Sequence, residues 1–464
     1  MRTLLLAALP LALSAQSIVI SAGAQEHQVY QRGSDGKATV TVSGTADGAE
    51  GKPVTGKLGS ISATPAIASG GKWTVTFAGV PAGGPYKLEM RAGGARAVVQ
   101  NLFVGDIWML AGQSNMEGVG NLDAVAIEPP NRMVQTFDMI DEKWQPAKEP
   151  LHNIPGSVDK IHWTLARRES RLTGPELAEF VKNRKKGAGL GLPFAVAYSK
   201  AAGVPVGLLP CAHGGTSMDQ WDPAKWDKAA PGDSLYGSAM RRLQAAGGKI
   251  KGILWYQGES DANPKVQPAF RAKFENLVAR FRADTGDNAL PFYYVQIGRH
   301  VNAANVEAWN MVQEDQRLAE QTIANSAVFG ALDVDLDDGI HVGTSDLKRI
   351  GANMAAFAAG KAKRGPRPQA PVVEFNTIRV KISDFNGTLA SAGRPTGFAI
   401  LDAAGVPQPM IYKTELAGDT IVLHFQGKLP EGAQLRYGHG KDPYANIRDG
   451  AGFGLIAFGP VPIR

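Results

Sequence analysis

Hydrophobic and polar residues follow two different patterns along this chain, and these patterns divide it into three regions. From about residue 28 to residue 103, short runs such as 38–42 and 73–77 alternate between apolar and polar positions and are separated by Gly-rich turns. Such alternation is typical of strands with one buried face. Residues 372–463 repeat this texture, for example at 420–425. We therefore expect two antiparallel, β-sandwich-like regions that flank the middle of the chain.

The middle of the chain combines apolar runs with helical periodicity. Apolar runs long enough for buried strands lie at residues 107–111, 204–210, 250–256, 292–297 and 327–332. Helical patterns lie between them, and one helix should bury a single face formed by Phe270, Phe274, Leu277, Val278 and Phe281. Alternating strands and helices predict a parallel sheet in a three-layer α/β/α domain. Ligands of such domains bind beyond the carboxyl ends of the strands.

These changes of pattern suggest a domain division. We assign residues 1–24 to a signal peptide, 25–103 to an N-terminal β-sandwich domain, 104–365 to a central α/β domain and 366–464 to a C-terminal β domain. The first segment carries a positive charge near its start, at Arg2, and continues with mostly apolar residues. It ends in a small-x-small motif at Ala22 and Ala24, as secretory signal peptides do. We therefore expect a periplasmic or secreted protein with no membrane span in its mature form.

Composition narrows the range of functions. The 464 residues include 49 Lys and Arg against 43 Asp and Glu, with no long basic block interleaved with aromatic residues, so nucleic acid is not an expected partner. The single cysteine, Cys211, excludes an intrachain disulfide and any metal site built on several cysteines. The sequence contains no His-Glu-x-x-His zinc motif. We expect neither a metal nor an organic cofactor.

Two of the strand-end segments offer a serine hydroxyl and backbone N–H donors. The segment GQSNM (112–116) places Ser114 at a strand-to-helix turn, where backbone N–H groups can stabilise an oxyanion. The segment HGGTS (213–217) contains Gly214 and Gly215, which allow the backbone to approach a ligand closely. Taken alone, the first fits a helix N-cap and the second a tight turn.

The other two strand-end segments carry polar side chains. WYQGESD (255–261) places Gln257 directly after a buried strand. DGIH (338–341) places Asp338 three residues before His341, a spacing that allows the carboxylate to orient the imidazole. Together with Ser114 and the glycines, these residues supply what a serine nucleophile requires: a base, a carboxylate that orients the base, and donors for an oxyanion.

The four segments resemble those of the SGNH hydrolase superfamily, and more narrowly its sialate O-acetylesterase and carbohydrate esterase branch. The resemblance implies a flavodoxin-like α/β/α fold with Ser114 as nucleophile, His341 as general base and Asp338 as partner of the histidine. It also implies an oxyanion hole formed by the backbone N–H of Ser114, by Gly215 and by the side chain of Gln257. In this branch, glutamine typically replaces the asparagine of the superfamily.

Several residues around these segments have open roles. Either Gly214 or Gly215 could supply the oxyanion donor, and Gly215 is preferred because it immediately precedes Thr216. Glu259 could act as a second acid, although a structural carboxylate is favoured. The candidates for substrate binding are His213, which adjoins the glycines, His300, which follows the fourth apolar run, and Trp221, which could stack on a sugar or pack in the core.

The leading hypothesis is a secreted serine esterase that removes O-acetyl groups from carbohydrates through an acetyl-enzyme on Ser114. One alternative is an esterase that deacetylates xylan or another polysaccharide, because the proline often found after the histidine in sialate-type members is absent after His341. An α/β-hydrolase lipase is disfavoured because no G-x-S-x-G motif is present. A non-catalytic glycan-binding protein is the alternative from another class, but it has no use for a base and its orienting carboxylate.

Overall fold

The computed structural model describes residues 16–464, so most of the segment assigned to a signal peptide lies outside the described residues. The chain forms two compact units, divided between Gly105 and Asp106. Ile18 is buried in the first unit, and the strand Val19–Ala22 pairs there with the strand Lys37–Thr45. Cleavage after Ala24 would therefore remove an edge strand of this unit.

The first unit consists of short strands joined by turns. Its strands are β1 (Val19–Ala22), β2 (Val29–Gln31), β3 (Lys37–Thr45), β4 (Pro53–Leu58), β5 (Ile61–Ser62), β6 (Ala66–Ile67), β7 (Lys72–Pro81), β8 (Gly83–Ala92) and β9 (Ala95–Gly112), which continues into the second unit. One antiparallel sheet contains β1, β3 and β7, and β4, β8 and β9 pair antiparallel in another. Both sheets contribute to one core, for example through Val40, Phe77 and Leu88. The alternating runs 38–42 and 73–77 predicted β3 and β7, in which every second side chain faces that core.

The second unit begins with a sheet and its helices. These elements are α1 (Ser114–Glu117), β10 (Gly120–Asn121), β11 (Val134–Phe137), β12 (Trp144–Pro146), α2 (Lys160–Leu165), α3 (Gly174–Asn183), β13 (Lys186–Ala188), α4 (Gly191–Ala202), β14 (Val206–Pro210), α5 (Leu235–Ala245), β15 (Gly252–Tyr256), α6 (Phe270–Thr285), β16 (Phe292–Val295), α7 (Val306–Thr322), β17 (Ser326–Phe329) and α8 (Thr344–Ala358). The sheet order is β12-β11-β14-β9-β15-β16-β17. The five predicted apolar runs all contribute strands to it, and the predicted apolar face of α6 is buried.

The sheet is mixed, whereas the sequence predicted a parallel one. The pairs from β11 to β17 are parallel, but β12 is antiparallel to β11. The chain between β11 and β12 is too short for the crossover that a parallel pair requires, so these two strands form a hairpin. The predicted three-layer arrangement stays a prediction.

The C-terminal strands belong to the second unit. They are β18 (Arg367–Pro368), β19 (Val372–Glu374), β20 (Thr377–Ser383), β21 (Leu389–Ser391), β22 (Phe398–Leu401), β23 (Pro407–Gln408), β24 (Ile411–Ala417), β25 (Thr420–Phe425), β26 (Gln434–Tyr437), β27 (Ile447–Asp449) and β28 (Phe458–Pro462). Buried hydrogen bonds join them to the central part: Gln296 Nε2 donates to the Ala457 carbonyl at 3.0 Å, and Arg436 Nη2 donates to the Asn310 carbonyl at 3.0 Å. Across residues 16–464, no helix is long and apolar enough to cross a membrane.

Candidate active site

Ser114 lies at the turn between the central strand β9 and the short helix α1. The strand ends at Gly112, whose φ is +129°, and an added Cβ there would lie 2.3 Å from the Tyr256 carbonyl oxygen, so only glycine fits. The Gln113 N–H donates to that same carbonyl at 2.8 Å and fixes the turn. Ser114 is 8% exposed, and its own backbone N–H has no partner within the described part of the chain. The turn therefore presents both a hydroxyl and a free N–H donor.

His341 and Asp338 complete a hydrogen-bonded chain that begins at Ser114. His341 Nε2 lies 3.0 Å from Ser114 Oγ, and His341 Nδ1 lies 2.8 Å from Asp338 Oδ2. Asp338 Oδ1 also accepts the backbone N–H groups of Ile340 and His341, which closes the loop on itself. Burial alone would raise the pKa of Asp338, but hydrogen bonds from His341, Lys186 and the backbone hold it well below its usual range. Asp338 is therefore an ionised partner for the imidazole.

The two glycines beside Ser114 differ in the use of their N–H groups. The Gly214 N–H donates to Glu117 Oε2 at 2.7 Å, and an added Cβ at Gly214 would lie 3.4 Å from Ser114 Cβ. Gly215 has a φ of +70° and open space where a Cβ would lie, and its N–H has no partner among the described residues. Gly215 thus has a donor available while Gly214 does not, which is the arrangement that the predicted oxyanion role of Gly215 requires.

The contacts of Gln257 differ from those that its predicted role as an oxyanion donor requires. Its Nε2 donates to the Thr216 carbonyl at 3.1 Å and to Asp261 Oδ2 at 2.5 Å, while its buried Oε1 has no partner within residues 16–464. An amide nitrogen carries two hydrogens, and both are used here. Gln257 therefore ties the segment after β15 to the glycine segment, and direct donation to an oxyanion stays a prediction that requires one of these bonds to be exchanged.

Asn115 and Glu259 link the serine turn to the histidine loop. Asn115 Nδ2 donates to Glu259 Oε1 at 2.9 Å, and Asn115 Oδ1 accepts the Val342 N–H at 3.1 Å. Burial raises the pKa of Glu259, while the bond from Asn115 lowers it. Because Val342 directly follows His341, Glu259 holds Asn115 and Asn115 holds the loop. This geometry supports the interpretation of Glu259 as a structural carboxylate.

A cleft of about 410 Å³ borders the serine turn, and its lining residues include Glu117, Phe180, Arg184, Lys186, His213 and Gly214. Lys186 Nζ lies 3.0 Å from Asp338 Oδ2, and the Arg184 guanidinium lies 3.8 Å from Glu117. Both positively charged side chains that line the cleft, Arg184 and Lys186, thus lie beside carboxylates. In the part of the chain that the structure describes, no group of three or more His, Cys, Asp or Glu side chains could hold a metal ion.

The three residues predicted to bind substrate have different surroundings. His213 lines the cleft, and its Nδ1 lies 3.1 Å from His162 Nδ1; burial lowers its pKa to about 4. His300 is partly buried, with its ring centroid 5.0 Å from that of Trp309, and burial followed by the proximity of His341 lowers its pKa. For Trp221, the sugar-stacking role is wrong. Its side chain is fully buried against Trp255, so its ring cannot reach a substrate.

The sequence alone gave no indication that Lys186 and Glu117 belong to the site. Lys186 is 152 positions from Asp338, and Glu117 is 97 positions from Gly214. Lys186 lies in a segment to which the sequence analysis gave no role, and Glu117 directly follows the serine segment 112–116 but was not itself singled out. Only their long-range contacts identify them.

Comparisons with known proteins identify the family of the central part of the chain. The family model described as "Carbohydrate esterase, sialic acid-specific acetylesterase" matches residues 104–359. A curated relative from Arabidopsis thaliana, "Probable carbohydrate esterase At4g34215", is 30% identical over 209 residues, which is 41% of this chain and 68% of the relative. The crystal structure of XAC1771, "a novel carbohydrate acetylesterase from Xanthomonas citri", aligns with a TM-score of 0.68 at 22% identity over 95% of this chain and 99% of that chain. This last likeness shows the fold.

Proposed function

The chain belongs to the carbohydrate esterase, sialic acid-specific acetylesterase family and is a carboxylic ester hydrolase, and from this premise we propose that it is a secreted serine esterase that removes O-acetyl groups from carbohydrates through an acetyl-enzyme on Ser114. The observation that carries the proposal is the unbroken chain from Ser114 Oγ to His341 Nε2 and from His341 Nδ1 to Asp338. This is the arrangement that activates a serine hydroxyl.

The geometry suggests the following steps. Ser114 Oγ attacks the acetyl carbonyl while its proton passes to His341 Nε2, and Asp338 stabilises the imidazolium that forms. The free N–H groups of Ser114 and Gly215 are the donors for the tetrahedral oxyanion. When the ester bond breaks, the sugar hydroxyl leaves with the proton from His341. A water molecule then attacks the acetyl-enzyme while its proton passes to His341. The bond between the acetyl group and Ser114 Oγ breaks, His341 returns the proton to Ser114 Oγ, and acetate is released.

One observation favours a second candidate, the deacetylation of a neutral polysaccharide such as acetylxylan. A sialic acid carries a carboxylate, which needs a cation that is not already neutralised. Arg184 and Lys186, which line the cleft, lie beside Glu117 and Asp338. A neutral sugar needs no such cation, so the lining of this cleft suits a neutral sugar better than a sialic acid.

Acetate release tests the proposal directly. We expect the purified protein to hydrolyse a chromogenic acetate ester, and a serine-reactive organophosphonate to abolish this activity. Acetylated xylan compared with O-acetylated sialic acid then separates the two substrate classes. Glycan binding without acetate release from any of these substrates would contradict the proposal and favour a non-catalytic binding protein.

Export is a separate part of the proposal, supported by the apolar segment that follows Arg2 and by the small residues up to Ala24. Fractionation of the producing cells, followed by N-terminal sequencing of the mature protein, tests it. Recovery of the protein with an intact Met1 in the cytoplasm would contradict it.

A further inference from the structure

A second groove, of about 490 Å³, lies within the second unit between the central loops and the C-terminal strands. The central part contributes Arg299, Val334 and Asp335, and the C-terminal part contributes Ser391, Asp442 and Tyr444. The triad residues do not line it, and the reaction steps described above make no use of it.

One wall of this groove is continuous with the loop that carries the catalytic base. The Gly343 N–H donates to the Asp335 carbonyl at 2.9 Å, and the Asp337 N–H donates to the His341 carbonyl at 2.8 Å. The loop is therefore a narrow hairpin with Asp335 at its base and His341 near its tip. A further bond of 2.9 Å, from the Val301 N–H to the Gly339 carbonyl, joins the segment after Arg299 to the same loop. The groove thus extends from the base of the catalytic loop.

The groove presents the groups that bind sugars. The Tyr444 side chain is 72% exposed, and an exposed aromatic ring offers a flat apolar surface with a polar edge. Such a surface can stack on the C–H face of a pyranose. The Asp335 carboxylate has no hydrogen-bond partner among the described residues and can accept sugar hydroxyls.

The charges in the groove favour a neutral ligand. Arg299 Nη1 donates to Asp442 Oδ1 at 2.6 Å, and Arg448 pairs with Asp333, so both guanidinium groups face carboxylates. The Asp335 carboxylate remains without a cationic partner within residues 16–464. A glycan that carries carboxylates would meet net negative charge here, whereas neutral hydroxyl groups find both donors and acceptors.

We propose that this groove is a second carbohydrate subsite, which binds a neutral sugar unit of a glycan chain while another, acetylated unit of that chain reaches Ser114. The inference rests on the proposed esterase function and specifies its substrate as an oligosaccharide or polysaccharide. Binding energy from a remote unit positions the reacting ester, so extended substrates should be preferred over single acetylated sugars.

Substitution of Tyr444 tests the subsite through kinetics. We expect Tyr444→Ala to raise the KM for acetylated xylo-oligosaccharides about 3- to 10-fold, as loss of an aromatic contact does, with little change in kcat. Hydrolysis of a small chromogenic acetate should stay at the wild-type rate, and Tyr444→Phe, which keeps the ring, should restore the KM. Tyr412→Ala is the matched control, because Tyr412 is 54% exposed in the C-terminal region but does not line the groove.

Two kinetic outcomes would overturn the proposal. In the first, Tyr444→Ala has the wild-type KM on the oligosaccharides. In the second, Tyr444→Ala slows the small ester as much as the oligosaccharide, which would show that the residue acts through the catalytic loop and not through binding.

Direct binding separates this inference from the esterase proposal. Calorimetry with the Ser114→Ala protein and the unacetylated xylohexaose, cellohexaose and mannohexaose should detect binding of at least one of these chains, and Tyr444→Ala in the same background should weaken it. If none of the three binds, the subsite is overturned, even if the wild-type enzyme releases acetate. If the wild-type enzyme hydrolyses no acetate ester but an oligosaccharide still binds through Tyr444, the esterase proposal fails, while carbohydrate binding in the groove is supported.

Discussion

The two halves of the proposed catalytic site are built in different ways. Ser114 follows a buried central strand and is 8% exposed. The side chains of His341 and Asp338 are 24% and 38% exposed on a surface loop that hydrogen bonds hold in shape. Packing therefore fixes the position of the proposed nucleophile, whereas the position of the proposed base depends on hydrogen bonds to an ionised carboxylate. Apart from loss of the serine hydroxyl itself, changes on the serine side should act through geometry and stability, and changes on the loop side should act through charge.

The largest effect is expected on the serine side. Ser114→Ala removes the atom that forms the acetyl-enzyme, and we expect kcat to fall about 10⁴- to 10⁶-fold. The thermal unfolding temperature should change little, because the packing and the backbone turn at Gly112 do not depend on the hydroxyl. Turnover of the chromogenic acetate together with a melting curve measures both. A variant that retains more than about a tenth of the wild-type rate would exclude Ser114 as the nucleophile.

On the loop side, the expected loss depends on which aspartate is changed. Asp338→Asn keeps the shape of the side chain but can stabilise the wrong imidazole tautomer, so we expect kcat to fall by up to about 10⁴-fold. Asp337→Asn is the matched control. Asp337 Oδ2 accepts the Asn121 N–H at 3.2 Å, and an asparagine oxygen can accept the same bond. We therefore expect the control to keep activity within a few-fold of wild type.

Kinetics of both variants on one acetate ester distinguish the possible outcomes. If Asp337 is essential and Asp338 dispensable, the partner of His341 has been assigned one residue too late. If both variants behave as wild type, the acidic turn is only a solvated loop, and the contrast between the two halves of the site disappears.

The same contrast explains which parts of the site the sequence could predict. Ser114, Asp338 and His341 could be placed together because parallel strands present their carboxyl ends at one edge of a sheet, which brings distant segments into contact. The environment of Trp221 could not be predicted, because a tryptophan after a glycine segment has the same local pattern whether it packs on Trp255 or faces solvent. Lys186 escaped prediction because its contact with Asp338 depends on tertiary structure alone.

The fold shows a similar division between local and long-range information. The strands β3 and β7 of the first unit and the buried face of α6 follow from periodicity, which is a local property. The antiparallel edge strand Trp144–Pro146 is only three residues long, too short for a periodic pattern. Its pairing depends on the short connection to its neighbour.

An effect of intermediate size is expected when the pH is lowered. It should reduce the free energy of unfolding and act through buried histidines on the serine side of the site. Burial lowers the pKa of His213 to about 4, and that of His152, whose Nε2 accepts the Ala212 N–H at 3.2 Å, to about 3. Both histidines titrate near 6.5 in the unfolded chain. Between these values the unfolded state binds more protons, so stability is fully present above pH 6.5 and is lost as the pH falls toward 4. At pH 5 we expect a loss of about 2 kcal/mol for each histidine.

Urea unfolding at pH 7 and pH 5 measures this loss of stability. His213→Gln should reduce the difference between the two free energies of unfolding, because glutamine does not titrate. A wild-type protein with equal stability at both pH values would contradict the neutral, buried state of these histidines. The pKa of Asp338 is lowered, so its contribution to stability should persist across the same range.

The smallest effect is expected from Lys186, the cation beside Asp338. Its ammonium group lies 3.0 Å from Asp338 Oδ2, but both side chains are well exposed, at 43% and 38%, and exposed pairs contribute at most about 1 kcal/mol. Lys186→Gln should therefore change kcat at pH 8 by no more than about five-fold. Loss of the cation also favours a positive imidazole next to Asp338. We therefore expect the acid limb of the kcat/KM profile to move to higher pH by up to about half a unit.

The pH profile separates this electrostatic role from a purely structural one. Lys186→Arg keeps the charge and should restore the wild-type profile. Lys185→Gln is the control, because it removes a charge at the adjacent position, where no ion pair with a described residue is present. If Lys185→Gln and Lys186→Gln shift the acid limb equally, the effect comes from net charge and not from the contact with Asp338. If Lys186→Gln lowers kcat a hundred-fold at every pH without moving the limb, Lys186 supports the structure of the loop, and hydrogen bonds to Asp338 alone do not hold the base in place.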